Sequence, residues 1–396
     1  MAVFWRAITG GVLLALLGWG AEGQEIRPGK KEVSGGATVN LGQERDIWRP
    51  LIHTTVNLSE ISSIKSSFQL RTFDPEGAIF YGDTKNGEDW FVLSLKDGIP
   101  LMQISKEEML VSASGGPELN DGKWHTLEVS NQGKFVVLEV DGSKGLVVGM
   151  QSNKEEVLSG ELRLALGGML IDPEKLIVQL GPQLDGCVRE GSWLNLSVPW
   201  VAEAQDLWPC YQDVQPGIFF PGTGFAIFNT SVFHVKADDG VTFELWGDFS
   251  NMDGTIFSIK APGQPLMFAL VANKNTKEVT LTFGAQQLTM TETFKRLEII
   301  FQADFMQVTQ DGDESKATRF SVSPVDQPAY STSWTEGHVA FGGLLGEGED
   351  NVRGSQFLTG CLEKIQVQKW DLDLDLAVKH SSISSHSCPT QIIEEA

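Results

Sequence analysis

The sequence predicts an all-β protein built from two tandem units, and three observations carry that prediction. Short apolar runs such as AIFYG, WFVLSL, LRLAL, EVTLTF and RLEIIFQ recur between Gly, Asp and Asn breakers, the pattern of short strands joined by turns. Past the N-terminal segment, no stretch gives a long, capped helix of 3.6-residue period. The chain also repeats itself. LALGGML matches VAFGGLL, LDGCVRE matches LTGCLEK, and FQLRTFDPEGAIF matches FELWGDFSNMDGTIF. Phe68 and Phe243 are 175 residues apart, and Cys187 and Cys361 are 174 apart. Matches in order at one spacing mark an internal repeat, and 396 residues hold two domains comfortably. Many short strands with regular turns mean a sandwich or a barrel in each unit.

The elements follow in chain order. MAVFWRAITGGVLLALLGWGAEGQ has one positive charge, Arg6, then an apolar run, then the small-x-small site Ala21-Glu22-Gly23. This predicts a cleaved secretory signal over residues 1–23, and hence a secreted protein. The first unit is expected over residues 45–210 and the second over 217–388, with YQDVQPG (Tyr211–Gly217) as the hinge. HTLEVSNQGKFVVLEVDG reads as a hairpin, with Leu127 and Val129 alternating before an Asn-Gln-Gly turn. The cysteines, Cys187, Cys210, Cys361 and Cys388, have spacings too wide for zinc-finger or thioredoxin motifs. Of the three possible pairings, local bridges Cys187–Cys210 and Cys361–Cys388 are the simplest, each worth about 3 kcal/mol in the chain-entropy view. Sequons at Asn57, Asn195 and Asn229 suit the same oxidising compartment.

A formal net charge of −22 argues against nucleic acid and anionic membranes as partners. It suits a soluble carrier and it suits calcium. Catalytic patterns are missing. There is no G-x-S-x-G elbow, GPELNDGK has Trp124 where a phosphate loop needs Ser or Thr, and the histidines form no H-x-x-x-H pair. His125 reads as a strand residue, and His386 falls in a Ser-rich tail beside Cys388. Asp371, Asp373 and Asp375 in WDLDLDL begin like an EF-hand, but position six is Leu376 rather than Gly. Their alternation reads as an exposed-face strand. The chain is therefore expected not to be an enzyme.

The stretch FDPEGAIFYGDTKNGEDWF carries the candidate chemistry. Asp74 and Glu76, at i and i+2, point to one side if extended, so they either share a hard cation or form an ordinary acidic turn. Asp89 precedes Trp90-Phe91. With Trp90 on one face, Asp89 and Phe91 share the other. Asp89 is then either a solvated residue at the strand mouth or the polar end of an apolar pocket, where it needs a hydrogen-bonding partner.

The run SSFQLRTFDPEGAIFYGDTKNGEDWFVLSLKDG, with LNDGKWHTLEV, VVLEVDG, LALGGML and LDGCVREGSWL, resembles the sex hormone-binding globulin family. More broadly, each unit is similar to a laminin G-like domain, a jelly-roll sandwich of two antiparallel sheets. The resemblance implies two tandem laminin G-like domains, the first holding one androgen or estrogen between its sheets. It implies that Ser66 meets the ring-A oxygen, Asp89 the ring-D oxygen, that Phe91 packs on the steroid and that Thr84 lies nearby. It also implies a structural calcium at Asp74 and Glu76, and a homodimer formed through the first domain. Three departures from the mammalian pattern stand out. Lys106 takes the place of an asparagine that assists at ring D, and Asn131 and Leu162 take the place of ligand-contacting methionines. Glu107 replaces a zinc-binding histidine, so no equivalent zinc site is expected. The alternative is an adhesion or receptor-binding protein built from the same domains.

Overall fold

The computed structural model describes residues 31–33, 38–42, 50, 52–60, 65–84, 86–107, 109–132, 135–149, 160–181, 183–192, 200–202, 208–233, 240–324, 326–346, 357–380 and 382–391. The predicted signal segment and Asn195 lie outside them. Two antiparallel sandwiches follow one another along the chain, as the repeat requires.

In the first, an eight-stranded sheet runs Lys31–Val33, Trp200–Ala202, Ile52–Asn57, Glu161–Leu166, Gly77–Thr84, Asp89–Lys96, Ile99–Lys106, Met109–Ser114. Facing it, a six-stranded sheet runs Ser143–Gly149, Phe135–Val140, His125–Gln132, Lys65–Thr72, Gly186–Ser192, Val39–Asn40. Two of these strands lie upstream of residue 45. Alternation sorts the side chains. Phe68, Leu70, Phe80, Leu93, Met102, Leu127 and Leu138 bury themselves between the sheets. Tyr81, Trp90, Val92 and Ala165 take the outer face of the larger sheet, under Met169, Ile171, Leu176 and Leu180. A buried polar group sits on that outer face: the Arg163 Nε donates to Asp83 Oδ1 at 2.7 Å, and the Tyr81 hydroxyl and the Arg163 Nη2 donate to Asp83 Oδ2.

The second sandwich has two seven-stranded sheets of the same kind. Its interior is filled by Phe243, Phe257, Phe268, Phe301 and Phe341, all fully buried. A nine-residue helix, Gln327–Thr335, adds Trp334 to this cluster, 5.2 Å from Phe301 between ring centroids. The sequence pattern does not predict this helix. QPAYSTSWT has weak helix formers and a short apolar face, so tertiary packing of Tyr330 and Trp334 holds it.

The predicted hinge is not a free linker. Val214–Pro216 pairs with Ser387–Pro389, and the Arg71 guanidinium donates to the carbonyls of Tyr211 and Gln212. The bridges are Cys187–Cys210 and Cys361–Cys388. WDLDLDL is not one strand. Trp370–Asp371 is a two-residue strand, and a 3-10 turn, Leu374–Leu376, follows with the Asp373 carboxylate accepting from the Asp375 amide. Alternation fails there because Leu374 turns into the core while Leu376 is exposed. Among the described residues, no helix is long and apolar enough to cross a membrane.

His125 ties two turns of the first domain, with Nδ1 2.8 Å from Asp141 and Nε2 3.0 Å from Asp121. Burial alone would lower its pKa, but the hydrogen bonds and charges of these carboxylates outweigh that and hold it above 6.5. The charged imidazole is favoured by folding, so its contribution is complete below pH 6.5 and fades as pH rises through the folded value. Asp141 is half exposed, which limits the gain to about 1 kcal/mol or less. The melting-temperature gap between wild type and His125→Gln should therefore shrink from pH 6 to pH 9. A gap that stays constant would contradict the ion-pair reading.

Candidate functional site

The inner face of the larger sheet of the first domain carries two cross-strand rows. One runs Leu164, Gly82, Phe91, Ile104, Val111. The other runs Leu162, Thr84, Asp89, and the pair Lys106–Met109 continues its line. Thr84, Asp89, Phe91, Lys106 and Leu162 thus share one patch of one face, while Trp90 packs on the other. Period-two geometry alone forces Asp89 and Phe91 inward together once Trp90 points outward.

On the facing sheet, Ser66 lies opposite Val129, which in turn lies opposite Leu138. It shares its face with Phe68 and Leu70 and is 1% exposed. Ser66 and Asp89 therefore belong to facing inner surfaces of one sandwich. Asn131 lies opposite Val136 and is exposed, which makes it a rim residue. Deep in the sandwich Phe68, Phe80, Leu93 and Met102 are closed off from solvent. Phe91, Val111, Ala113 and Val136 pack against that core yet remain partly exposed. Of these, Val111 and Ala113 lie on the edge strand Met109–Ser114, and Val136 lies on the strand beside the edge strand Ser143–Gly149.

Two features of this inner face escape a reading of single residues. Gly82 has no side chain because the Phe91 ring lies over it: an added Cβ would stand 2.3 Å from Phe91 Cε1. The repeat points to the same position. The second domain has Ile259 in the place of Gly82 and Val241 in the place of Ser66, both fully buried. One sandwich keeps a small and a polar residue where the other fills its interior. Asp89 also has a structural task. Its Oδ1 accepts from the Glu107 amide at 3.1 Å, which secures the turn beyond Lys106.

Two cavities lie away from this face. One of about 70 Å³ sits between the domains beside Arg71, Asp185 and Tyr211, and one of about 170 Å³ sits beside Lys260 and His338. Both fall short of the roughly 300–1,000 Å³ usual for ligand pockets.

The carboxylates of Asp74 and Glu76 turn to different partners. Asp74 is 1% exposed, and its oxygens accept from the Glu76 amide at 2.9 Å and the Asp185 amide at 2.8 Å. Glu76 turns away, to the Lys96 ammonium at 2.5 Å and the Gly181 amide at 2.6 Å. The extended i, i+2 geometry does not hold because the chain bends at Pro75 and Glu76, before the strand that begins at Gly77. Burial pushes the Asp74 pKa up to about 7, against the pull of His386. Burial would lower His386, but the hydrogen bond to Asp375 and the charges of Asp74, Asp375 and Asp185 raise it to about 9.

Two sequons have known surroundings. Asn57 and Asn229 each end a strand, are exposed, and are followed by a 3-10 turn, with the Asn side chain accepting from the Ser59 and Ser231 amides.

Comparison with known proteins agrees with this architecture. A Laminin G domain model matches residues 70–198. Sex hormone-binding globulin of Phodopus sungorus is 32% identical over 345 residues, covering 86% of this chain and 84% of the relative, and that of Homo sapiens is 31% identical over 351 residues, with the same coverage. Growth arrest-specific protein 6 of Mus musculus is 26% identical, covering 86% of this chain but 54% of that protein. Domains LG4-5 of the mouse laminin alpha1 chain share the fold at a TM-score of 0.62 and 19% identity, covering 93% of this chain and 97% of theirs. The repeat, the paired sandwiches and the similarity along nearly the whole length lead to one conclusion: the chain belongs to the sex hormone-binding globulin family.

Proposed function

We propose that this chain is a secreted carrier that binds one sex steroid between the sheets of its first domain. The carrying observation is that Ser66 and Asp89 lie on facing inner surfaces of one sandwich, whose core is flanked by the partly exposed Phe91, Val111, Ala113 and Val136. The names of the relatives supply the ligand class. Those names denote binding rather than catalysis, which agrees with the missing catalytic motifs.

The physics suits a steroid. It is a rigid apolar slab with oxygen at both ends, so little conformational freedom is lost on binding. Nanomolar affinity is about −12 kcal/mol. Over roughly 21 heavy atoms that is about −0.6 kcal/mol per atom, within the usual ceiling. Burying the apolar faces supplies most of this, at about 25 cal/mol per Å². The end hydrogen bonds, about 0.5–1.5 kcal/mol each if neutral and up to about 3 if charged, set orientation and discrimination. Lys106 donates but cannot accept, so with Asp89 beside it the ring-D end favours an oxygen able to play both roles.

The experiment is a pair of binding isotherms. Asp89→Ala should weaken a 17-hydroxysteroid about tenfold or more, while a 17-deoxy analogue changes much less, as loss of a charged hydrogen bond predicts. Equal losses for both ligands would contradict the assignment of Asp89.

The edge strands Met109–Ser114 and Ser143–Gly149 expose Met109, Leu110 and Val147, and Phe135 is exposed on the strand beside the second of them. Exposed apolar edge strands favour pairing with another chain, and this supports a homodimer through the first domain. Glycans at Asn57 and Asn229 and transport in an extracellular fluid complete the proposal.

A further inference from the structure

The two sandwiches differ at one matched spot on their outer faces. In the first domain Arg163 lies opposite Asp83 on the neighbouring strand, and both the guanidinium and the Tyr81 hydroxyl donate to the Asp83 carboxylate. In the second domain the matching strand pair sets His338 opposite Lys260. The repeat aligns Lys260 with Asp83, His338 with Arg163 and Ser258 with Tyr81. An ammonium and a small hydroxyl thus stand where the first domain has a carboxylate and a phenol ring. Two basic side chains face each other with no acid between them.

Space opens where the missing groups would stand. A cavity of about 170 Å³ has Lys260, His338, Pro262, Gly263, Leu345 and Gly346 in its lining. The first domain closes the corresponding region. There Ile171 is buried against the Gly87 turn, where an added Cβ would meet Ile171 Cγ2 at 3.0 Å and Asp83 Oδ2 at 3.5 Å. In the second domain the repeat puts Gly346 in the place of Ile171. A Cβ added at Gly263, in the matching turn, would meet nothing within 4 Å. Pro262 and Gly263 are exposed, so the cavity reaches the surface.

The donors are held at the wall. The Ser258 hydroxyl donates to the Gly343 carbonyl at 2.8 Å and accepts from the Leu345 amide at 3.2 Å, which fixes the segment leading to Gly346. The Lys260 ammonium donates to the Gly346 carbonyl. An ammonium has three N–H donors, so two remain, and an imidazole donates from one ring nitrogen in either tautomer. Among the described residues, neither Lys260 nor His338 meets a carboxylate. Hydrogen bonds from an ammonium to a carboxylate are about twice as strong as neutral ones. The volume is below that usual for larger ligands, which selects a small acid over a peptide or a sugar chain. We propose that Lys260 and His338 bind the carboxylate of a small organic acid, which takes the place that the Asp83 carboxylate fills in the first domain. This site is separate from the proposed steroid site, so failure of one reading leaves the other standing.

The test uses the full chain, with sodium lactate as the probe. Saturation-transfer NMR at constant ionic strength reads weak binding, with chloride and phosphate as competitors. The proposal expects one saturable site that chloride does not empty, and at least a tenfold loss of lactate affinity in Lys260→Gln, as removal of a charged hydrogen bond predicts. His338→Gln should weaken binding by a smaller factor. The double variant Lys260→Asp with His338→Arg rebuilds the ion pair of the first domain and should abolish lactate binding. Lys260 and His338 are both partly exposed, so the single variants should keep the wild-type melting temperature and leave steroid binding unchanged. No saturable lactate binding, binding that survives Lys260→Gln or the double variant, or phosphate held more tightly than lactate would each overturn it.

Discussion

Replacing Gly82 with valine should reduce steroid affinity about 100-fold or more, the equivalent of roughly 3 kcal/mol, while the protein stays folded. The reason is steric. Even a bare Cβ at this position would stand 2.3 Å from Phe91 Cε1 and 3.0 Å from Leu164 Cδ2. Leu164 is buried and Phe91 is partly exposed, so the Phe91 ring must give way into the proposed binding space between the sheets. That is the space the steroid is proposed to take. Overpacking costs about 1–3 kcal/mol of stability, which the melting curve reads separately from binding. Gly82→Ala should give a smaller loss of the same kind. Unchanged affinity in a folded Gly82→Val protein would mean that the ligand does not lie against Phe91.

Removing the Asp83 carboxylate should be the most damaging single change to the first domain. Asp83 is fully buried at its side chain, and its oxygens accept from Arg163 and Tyr81. Asp83→Ala leaves a partly exposed guanidinium and a buried hydroxyl without their acceptor. Breaking a buried pair by deleting one partner costs about 3–5 kcal/mol, or a fall of roughly 10 °C in the melting temperature of a domain of this size. Strand Gly77–Thr84 carries Gly82 and Thr84 on its other face, so steroid binding should fall together with stability. The second sandwich has its own core and should still melt near its wild-type temperature. A drop of less than about 1 kcal/mol in chemical denaturation would show that the ion pair contributes little beyond a neutral replacement.

Much of this was open to reading from the residues, and the reasons are local. Alternation in Asp89-Trp90-Phe91 needs no tertiary information, because one outward aromatic fixes the direction of both neighbours. The repeat located both domains because each must bury its own core. Gly82 was readable too, but only by setting it against Ile259 in the second unit. What could not be read depends on docking between distant segments. Asp74 and His386 are more than 300 residues apart, and no periodicity links them. Spacing also says nothing of Lys96, which arrives from another strand to pair with Glu76. The D-L-D-L alternation suggested a strand, yet the Asp373 cap folds it into a turn. The helix Gln327–Thr335 exists because Phe243 and Phe301 offer Trp334 a place to pack, a tertiary cause that local propensity does not record.

Saturation binding of a tritiated androgen to the purified full-length chain tests the central claim most directly. The account predicts one saturable site per chain with nanomolar affinity, weakened by substitution of Ser66 or Asp89 and unaffected by Trp334→Phe in the filled second sandwich. Absence of saturable binding by the folded protein, or binding that survives changes at both Ser66 and Asp89 but fails with Trp334→Phe, would contradict it.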